Sequence, residues 1–374
     1  VFIFLNFFVP YSNLILIGSR ITTFPDFMIG FMIVLYNILI QYVPMKGSIP
    51  GIPMENPSEQ ECIPSDSKRF MSKKWGYLSV ITATLLFGIW NTFNKILLQD
   101  LDPIALSAIV YCIAGAFLFT IRFSPINNRI MSFLDADCSA ETHISRRDYM
   151  ILIVTAVSGS VVAPIIYLNG LKMITAVTGS LLMNAEILFI ILIGVFFLGE
   201  SLKRKDIFGF LFLVIGTVFL ATNGGSGNLS GNLTGNLGTI LVIVAAFFWS
   251  IDTSLSKFLS GKRDLLFVSA LKCSIGGLIL LSLSILLGSS FNVPLNHLPY
   301  LLFIGLVSIG FSFVLVYFAI RQIGSTRTGS LFSLSALFGA IFAFAILSEP
   351  FTLIQLAFGL LMLLGVFILY KNGT

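Results

Sequence analysis

One stretch limits the fold more than any other. Thr175 to Glu200 is an apolar run long enough to cross a bilayer, with a single carboxylate, Glu186, near its middle. The run returns at Ser325 to Glu349, where Thr178-Gly179-Ser180-Leu181 recurs as Thr328-Gly329-Ser330-Leu331 at an offset of 150. The chain is therefore an internal duplication, and the duplicated unit is of membrane-spanning length.

With 56% hydrophobic and only 10% charged residues over 374 positions, the chain cannot cover a water-soluble globule of that size with polar groups. The net charge of +5 comes from basic residues dealt out in ones, twos and threes between apolar runs, a pattern that sets membrane topology rather than nucleic-acid binding. Runs of about 17 to 25 residues, the length that spans ~30 Å as a helix, fall at 75–98, 103–122, 148–172, 175–198, 206–222, 237–259, 265–287, 298–320, 326–347 and 351–370. Hydrocarbon leaves no partner for an unpaired backbone group, and the runs lack the two-residue alternation of barrel strands, so they read as helices. The fold class expected is an all-α integral membrane protein.

Connections carrying Lys73 and Lys74, Arg129, Arg146 and Arg147, Lys203 to Lys205, Lys262 and Arg263, Arg321 and Arg327, and Lys371 alternate with nearly uncharged ones. This places both ends of the 71–374 unit in the cytoplasm, and the cell (plasma) membrane is the location expected. Residues 1–70 have no repeat mate and form an extension, read either as upstream translated sequence ahead of Met71 or as one extra span at Phe27 to Val43. The domains expected are this extension, a first five-helix repeat at 71–223, a Gly/Asn-rich outer linker at 224–236 and a second repeat at 237–374. The sequons at Asn228 and Asn232 fall in the linker, where low complexity produces such triplets readily. The four cysteines, Cys62, Cys112, Cys138 and Cys273, show no metal-ligand spacing.

The duplication extends further: Lys95 aligns with Lys257, Cys112 with Cys273, Ser158 with Ser308, Tyr167 with Tyr317, and Glu200 with Glu349. Five spans per half is an odd number, so the second half enters the membrane from the opposite side, which makes ten transmembrane helices in two five-helix inverted repeats. That is a transporter signature. With the Gly199-Glu200-Ser201-Leu202 turn, its partner Ser348-Glu349-Pro350, and a lysine near the end of each half's first helix, the chain resembles the EamA-type transporters of the drug/metabolite transporter superfamily. The resemblance covers Met71 to Thr374. It departs from the usual tryptophan–lysine spacing, since Trp90 lies five residues before Lys95 while Trp249 lies eight before Lys257. It implies secondary transport, by export or exchange, of a small polar metabolite, amino acid or drug.

Ionisable groups inside a membrane are expensive, roughly 2.5 to 3.5 kcal/mol each at a helix centre, and few occur here. Glu186, with Asn184 two residues before it, sits at the midplane, and its repeat mate is the apolar Ala336. It reads either as a substrate or proton site or as a buried, hydrogen-bonded neutral acid. Asp252 and Lys272 lie at one depth, about 6 Å to the cytoplasmic side of the midplane, so an ion pair is expected, acting as a gate or as a static bridge. Helices three and eight are expected to be interrupted, at Ser158-Gly159-Ser160 with Pro164 and at Ser308, Gly310 and Ser312, where a broken span would offer polar groups to substrate. Close packing through small residues is the competing account. Tyr167 and Tyr317 complete the candidate substrate contacts, with Trp90. Lys95 and Lys257 are expected to anchor helix ends, and Glu200 and Glu349 to cap the helices that follow them.

Enzyme signatures such as GxSxG, HExxH or a Walker A loop do not occur, and the two histidines, His143 and His297, fall in connections. No catalytic residue, cofactor or metal is expected. The partners expected are a small-molecule substrate, the lipid bilayer and a coupling proton or ion, with no nucleic acid and with a homodimer left open. The rival functions are a flippase for a lipid-linked substrate and a non-transporting scaffold.

Overall fold

Among the described residues, ten apolar helices run between Asp66 and Asn372. The computed structural model describes residues 66–124, 146–197, 204, 206–222, 233–260 and 265–372, all within one compact unit. The expected span at Phe27 to Val43, the linker with Asn228 and Asn232, Glu200, and the side chains of Lys257 and Tyr317 lie outside the described residues.

Helix α1 is Asp66–Leu97, beginning ahead of Met71, and α2 is Pro103–Phe123. Asp102 sets the start of α2, accepting from the backbone N–H of Ile104 at 2.9 Å and preceding a proline that has no N–H to satisfy. α3 comprises Arg146–Thr155, a π-helical stretch Ala156–Val162, and Ala163–Met173. α4 is split into α4a, Ala176–Leu182, and α4b, Ala185–Phe197; Thr175 caps α4a by accepting from Thr178 N at 3.2 Å. α5 is Asp206–Thr222, α6 is Leu233–Ser260 and α7 is Leu265–Leu286. α8 runs through a 3₁₀ turn at Leu295–His297, then Leu298–Leu302, a second π-helical stretch Phe303–Phe311, and Ser312–Ile323. α9 is split like its mate, into α9a, Ser325–Phe332, and α9b, Ser335–Leu347, and α10 is Leu353–Asn372. Eight of these are long and apolar enough to cross a membrane, and α5 and α10 are shorter apolar helices.

The halves interlock about a two-fold relation. α2 packs on its repeat mate α7, and α5 on its mate α10. α1 packs on α8 and α9, and correspondingly α6 packs on α3 and α4. Small residues permit the close approach: a Cβ on Gly277 would stand 2.8 Å from the backbone N of Cys112, and one on Gly209 would stand 2.7 Å from the Gly365 carbonyl. The turn from α8 to α9 needs Gly324, whose φ of 86° suits no residue with a side chain so well.

Two expectations about the helices are corrected. α3 and α8 are not interrupted at Ser158-Gly159-Ser160 or at Ser308; both continue as helix, widened into π turns at matching places. The breaks fall instead in α4 and α9, at Met183–Asn184 and Ser333–Leu334, where bonds such as Glu186 N to Met183 O at 3.0 Å and Leu334 N to Leu331 O at 3.1 Å tighten the chain locally.

The two ends of the molecule differ. Every residue of α4a is buried, and it packs on α9b of the other half. The mirror arrangement, α9a on α4b, has no comparable packing among the described residues, and Thr328 is the one fully buried position of α9a whose side chain is described. At the closed end Lys95 donates to the carbonyls of Leu171 at 2.7 Å, Lys172 at 3.3 Å and Ile174 at 2.6 Å, satisfying the free end of α3. The lysine thus anchors a helix end from within the protein. Glu349 departs from expectation: it caps no helix that follows it, and its Oε2 accepts instead from Val177 N of α4a at 3.0 Å.

Candidate functional site

The π turn of α3 carries Ser158-Gly159-Ser160, and a π turn takes carbonyls off the regular ladder. Gly159 O accepts from the Trp249 indole Nε1 at 3.0 Å, with the Tyr111 hydroxyl 3.5 Å away. The carboxylate of Asp252 fills the room that Gly159 leaves by having no side chain, and a Cβ there would stand 2.7 Å from the Asp252 Cβ. Asp252 pairs with Lys272 Nζ from α7, as their common depth predicts, and its other oxygen accepts from Ser256 at 3.2 Å. Asp252 is 7% exposed, so its charge is neutralised by the Lys272 ammonium rather than by water.

Trp249, one turn from Asp252, belongs to an aromatic triad. Ring centroids lie 5.3 Å apart for Trp90 and Tyr167, 5.1 Å for Tyr167 and Trp249, and 6.1 Å for Trp90 and Trp249. The Tyr167 hydroxyl donates to Asn91 Oδ1 at 2.6 Å, and Asn91 Nδ2 reaches Ser180 Oγ at 2.9 Å and Met183 Sδ at 3.1 Å. These bonds tie α1 and α3 to the break in α4. Immediately past the break, Glu186 Oε1 accepts from Thr253 Oγ1 of α6 at 2.6 Å. Glu186 is half-buried and Thr253 exposed.

Of the sequence candidates, Trp90, Tyr167, Glu186, Asp252 and Lys272 thus fall along one network of α1, α3, α4, α6 and α7, with Ser158 and Asn184 adjoining it in sequence at Gly159 and Met183. Trp90 Nε1, Ser158 Oγ and Asn184 Nδ2 are buried with no hydrogen-bond partner. Ser308, fully buried in the π turn of α8, has an unpartnered Oγ and no bond into the network, and the side chain of Tyr317 lies outside the described residues. Sequence reasoning missed Asn91, Gly159 and Thr253, and noted Trp249 only for its spacing. A signal for them existed: at the offset of 162 that aligns Lys95 with Lys257, Trp90 aligns with Asp252 and Asn91 with Thr253, polar or amphipathic at mid-span in both halves.

The charges are not two-fold. Glu186, Asp252 and Lys272 have Ala336, Trp90 and Tyr111 as repeat mates, so a nearly symmetric scaffold holds an asymmetric set of ionisable groups. Chemically the arrangement offers two carboxylates, one ammonium, three aromatic faces and a carbonyl, all inside the span of the helices. Among the described residues no cluster of three or more His, Cys, Asp or Glu could hold a metal ion.

Residues 74–222 and 236–371 each match the EamA-like transporter family. An uncharacterized transporter of Methanothermobacter thermautotrophicus is 44% identical over 353 residues, 94% of this chain and 99% of its own length, a match that reaches upstream of Met71. The uncharacterized transporter YoaV of Bacillus subtilis is 24% identical over 78% of this chain and 94% of its own. The WAT1-related protein At3g02690, chloroplastic, of Arabidopsis thaliana is 24% identical over 54% of this chain and 49% of its own. A protein of known crystal structure, 19% identical, shares the fold with a TM-score of 0.55 over 80% of this chain and 96% of its own.

Proposed function

Because this chain belongs to the EamA-like transporter family, and so is a multi-pass membrane transporter, we propose that it carries a small polar metabolite bearing an ammonium group by secondary, alternating-access transport. The observation that carries this reading is the meeting of the Asp252–Lys272 pair with Trp90, Tyr167 and Trp249 beside the π-turn carbonyl of Gly159. Aromatic faces within about 6 Å attract a cation, most strongly where water is excluded. Two carboxylates against one ammonium leave the site with a negative balance whenever Glu186 is ionised. A substrate ammonium competes with Lys272 for Asp252, and a substrate carboxylate competes with Asp252 for Lys272, so an amino acid or related zwitterion satisfies both partners of a pair that it opens.

Glu186 supplies the coupling step in this reading. Its carboxylate stands at the break in α4, accepts from Thr253, and is placed to hold a proton or to attract the substrate cation. Export or exchange follows if the site releases substrate when Glu186 takes up a proton from the opposite compartment. The Lys/Arg distribution supports both ends of the 71–374 unit facing the cytoplasm, and the cell membrane is the location proposed.

Uptake into proteoliposomes tests the reading. Labelled amino acids and quaternary amines are expected to cross while sugars and phosphate esters do not, and Asp252→Asn is expected to reduce the flux at least tenfold. Flux of fluorescent lipid analogues without flux of any amine would favour a flippase, and no flux of either would favour a scaffold.

A further inference from the structure

The closed end of the molecule is held by a small number of bonds that join the two halves. Glu349 ends α9 of the second half, and its carboxylate accepts from Val177 N of the first half. Gln355 of α10 donates from Nε2 to Thr178 Oγ1 at 3.2 Å, and Thr178 bonds Thr175 at 2.9 Å, which fixes the entry to α4a. Lys95 of α1 holds the adjoining end of α3. Around these contacts Ala176 to Leu182 are buried without exception, and α4a lies on α9b. The repeat-equivalent packing of α9a on α4b has no comparable extent among the described residues, and Gly329, Ser330, Leu331 and Phe332 retain exposure. A two-fold scaffold therefore sits in an arrangement that is not two-fold, shut where Glu349 bridges the halves.

We propose that Glu349, with Gln355 as its second contact, is the latch of this end: the carboxylate keeps α4a against α9b, and its release lets the end open while α9a closes on α4b. Glu349 lies away from the central network and touches none of the residues proposed to bind substrate. The latch rests on the transporter reading for its purpose, but its geometry is independent of which substrate is carried. Removing a hydrogen bond to a charged acceptor that only one of two states makes shifts their balance by roughly tenfold or more, so the loss of Glu349 alone moves the resting population whatever its repeat mate Glu200 contributes to the other state.

The test is thiol accessibility in lipid nanodiscs, with the four native cysteines replaced by serine. One reporter is Val177→Cys, fully buried at the closed end, and the other is Ser330→Cys on α9a. No substrate is needed, so the outcome stands whether or not the amine-transport reading holds. Glu349→Ala is expected to raise maleimide labelling at position 177 about tenfold while labelling at 330 stays level or falls. Gln355→Ala, a milder change that leaves the carboxylate in place, is expected to raise labelling at 177 about threefold and serves if the first variant does not fold. Labelling that rises at both positions would mean a loosened fold rather than an opened end, and unchanged labelling at 177 would mean that Glu349 holds nothing shut; either result overturns the latch.

Discussion

Replacing Gly159 by alanine puts the site geometry to its hardest trial. The added methyl carbon would stand 2.7 Å from the Asp252 Cβ and nearer still to the carboxylate, whereas carbon atoms in contact sit about 3.5 to 4.0 Å apart. Asp252 or the π turn must therefore shift by about 1 Å, in a place where overpacking alone costs roughly 1 to 3 kcal/mol. The shift acts on the oxygen that meets Lys272, and a buried charge left without its partner costs roughly 3 to 5 kcal/mol more. The expected loss in unfolding free energy, measured by SDS titration in mild detergent, is about 3 kcal/mol or above, together with a fall in amine uptake of at least tenfold. The same change made in an Asp252→Gly background meets neither the Cβ nor the carboxylate and is expected to cost under about 1 kcal/mol, which isolates the overlap as the cause. Parental stability for Gly159→Ala, or an equal penalty in both backgrounds, would refute the placement of Asp252 against the π turn.

The ion pair itself is checked by a double-mutant cycle: Asp252→Asn and Lys272→Met are each expected to lower stability by roughly 3 kcal/mol, with the double variant milder than their sum. Strictly additive losses would show that the two side chains do not meet. Orientation is checked on intact cells with an impermeant maleimide in a cysteine-free background, where Ser226→Cys is expected to label and Ser145→Cys is not. The reverse pattern would turn the protein over in the membrane.

The helices were legible because bilayer thickness sets the length of an apolar run independently of tertiary context. The run at 206–222 coincides with α5, and those at 103–122 and 265–287 end within a residue of α2 and α7. The breaks in α4 and α9 were not legible: Met183–Asn184 and Ser333–Leu334 contain neither glycine nor proline, and what marks them is a local tightening of the backbone bonds, joined in α9 by the Ser333 hydroxyl donating to Ser330 O at 2.7 Å. The serines and glycines of α3 were read as interruptions because such residues mark broken spans elsewhere, yet here a π turn accommodates them without a break. Depth arithmetic found Asp252 and Lys272, since opposite charges at one level on successive helices have few other partners. It could not find Asn91 or Thr253, whose importance comes from being opposite Tyr167 and Glu186. Glu349 was placed at a helix end correctly, but its partner lies 172 residues away in sequence, a distance that no local capping rule spans.

The uneven distribution of charge between the halves has an energetic meaning. If the two repeats were identical in sequence, the inward-open and outward-open arrangements would be mirror copies of equal energy, and the protein would rest in neither. Every bias between them must therefore arise where the repeats differ, at places such as Glu186 against Ala336, Asp252 against Trp90 and Lys272 against Tyr111. Under the alternating access proposed, duplication makes the protein bistable, and a handful of unmatched side chains decides which way it leans. On the proposed site, substrate selectivity and resting state are consequently encoded in overlapping positions, so that altering what this protein carries would also alter which side of the membrane it faces when empty.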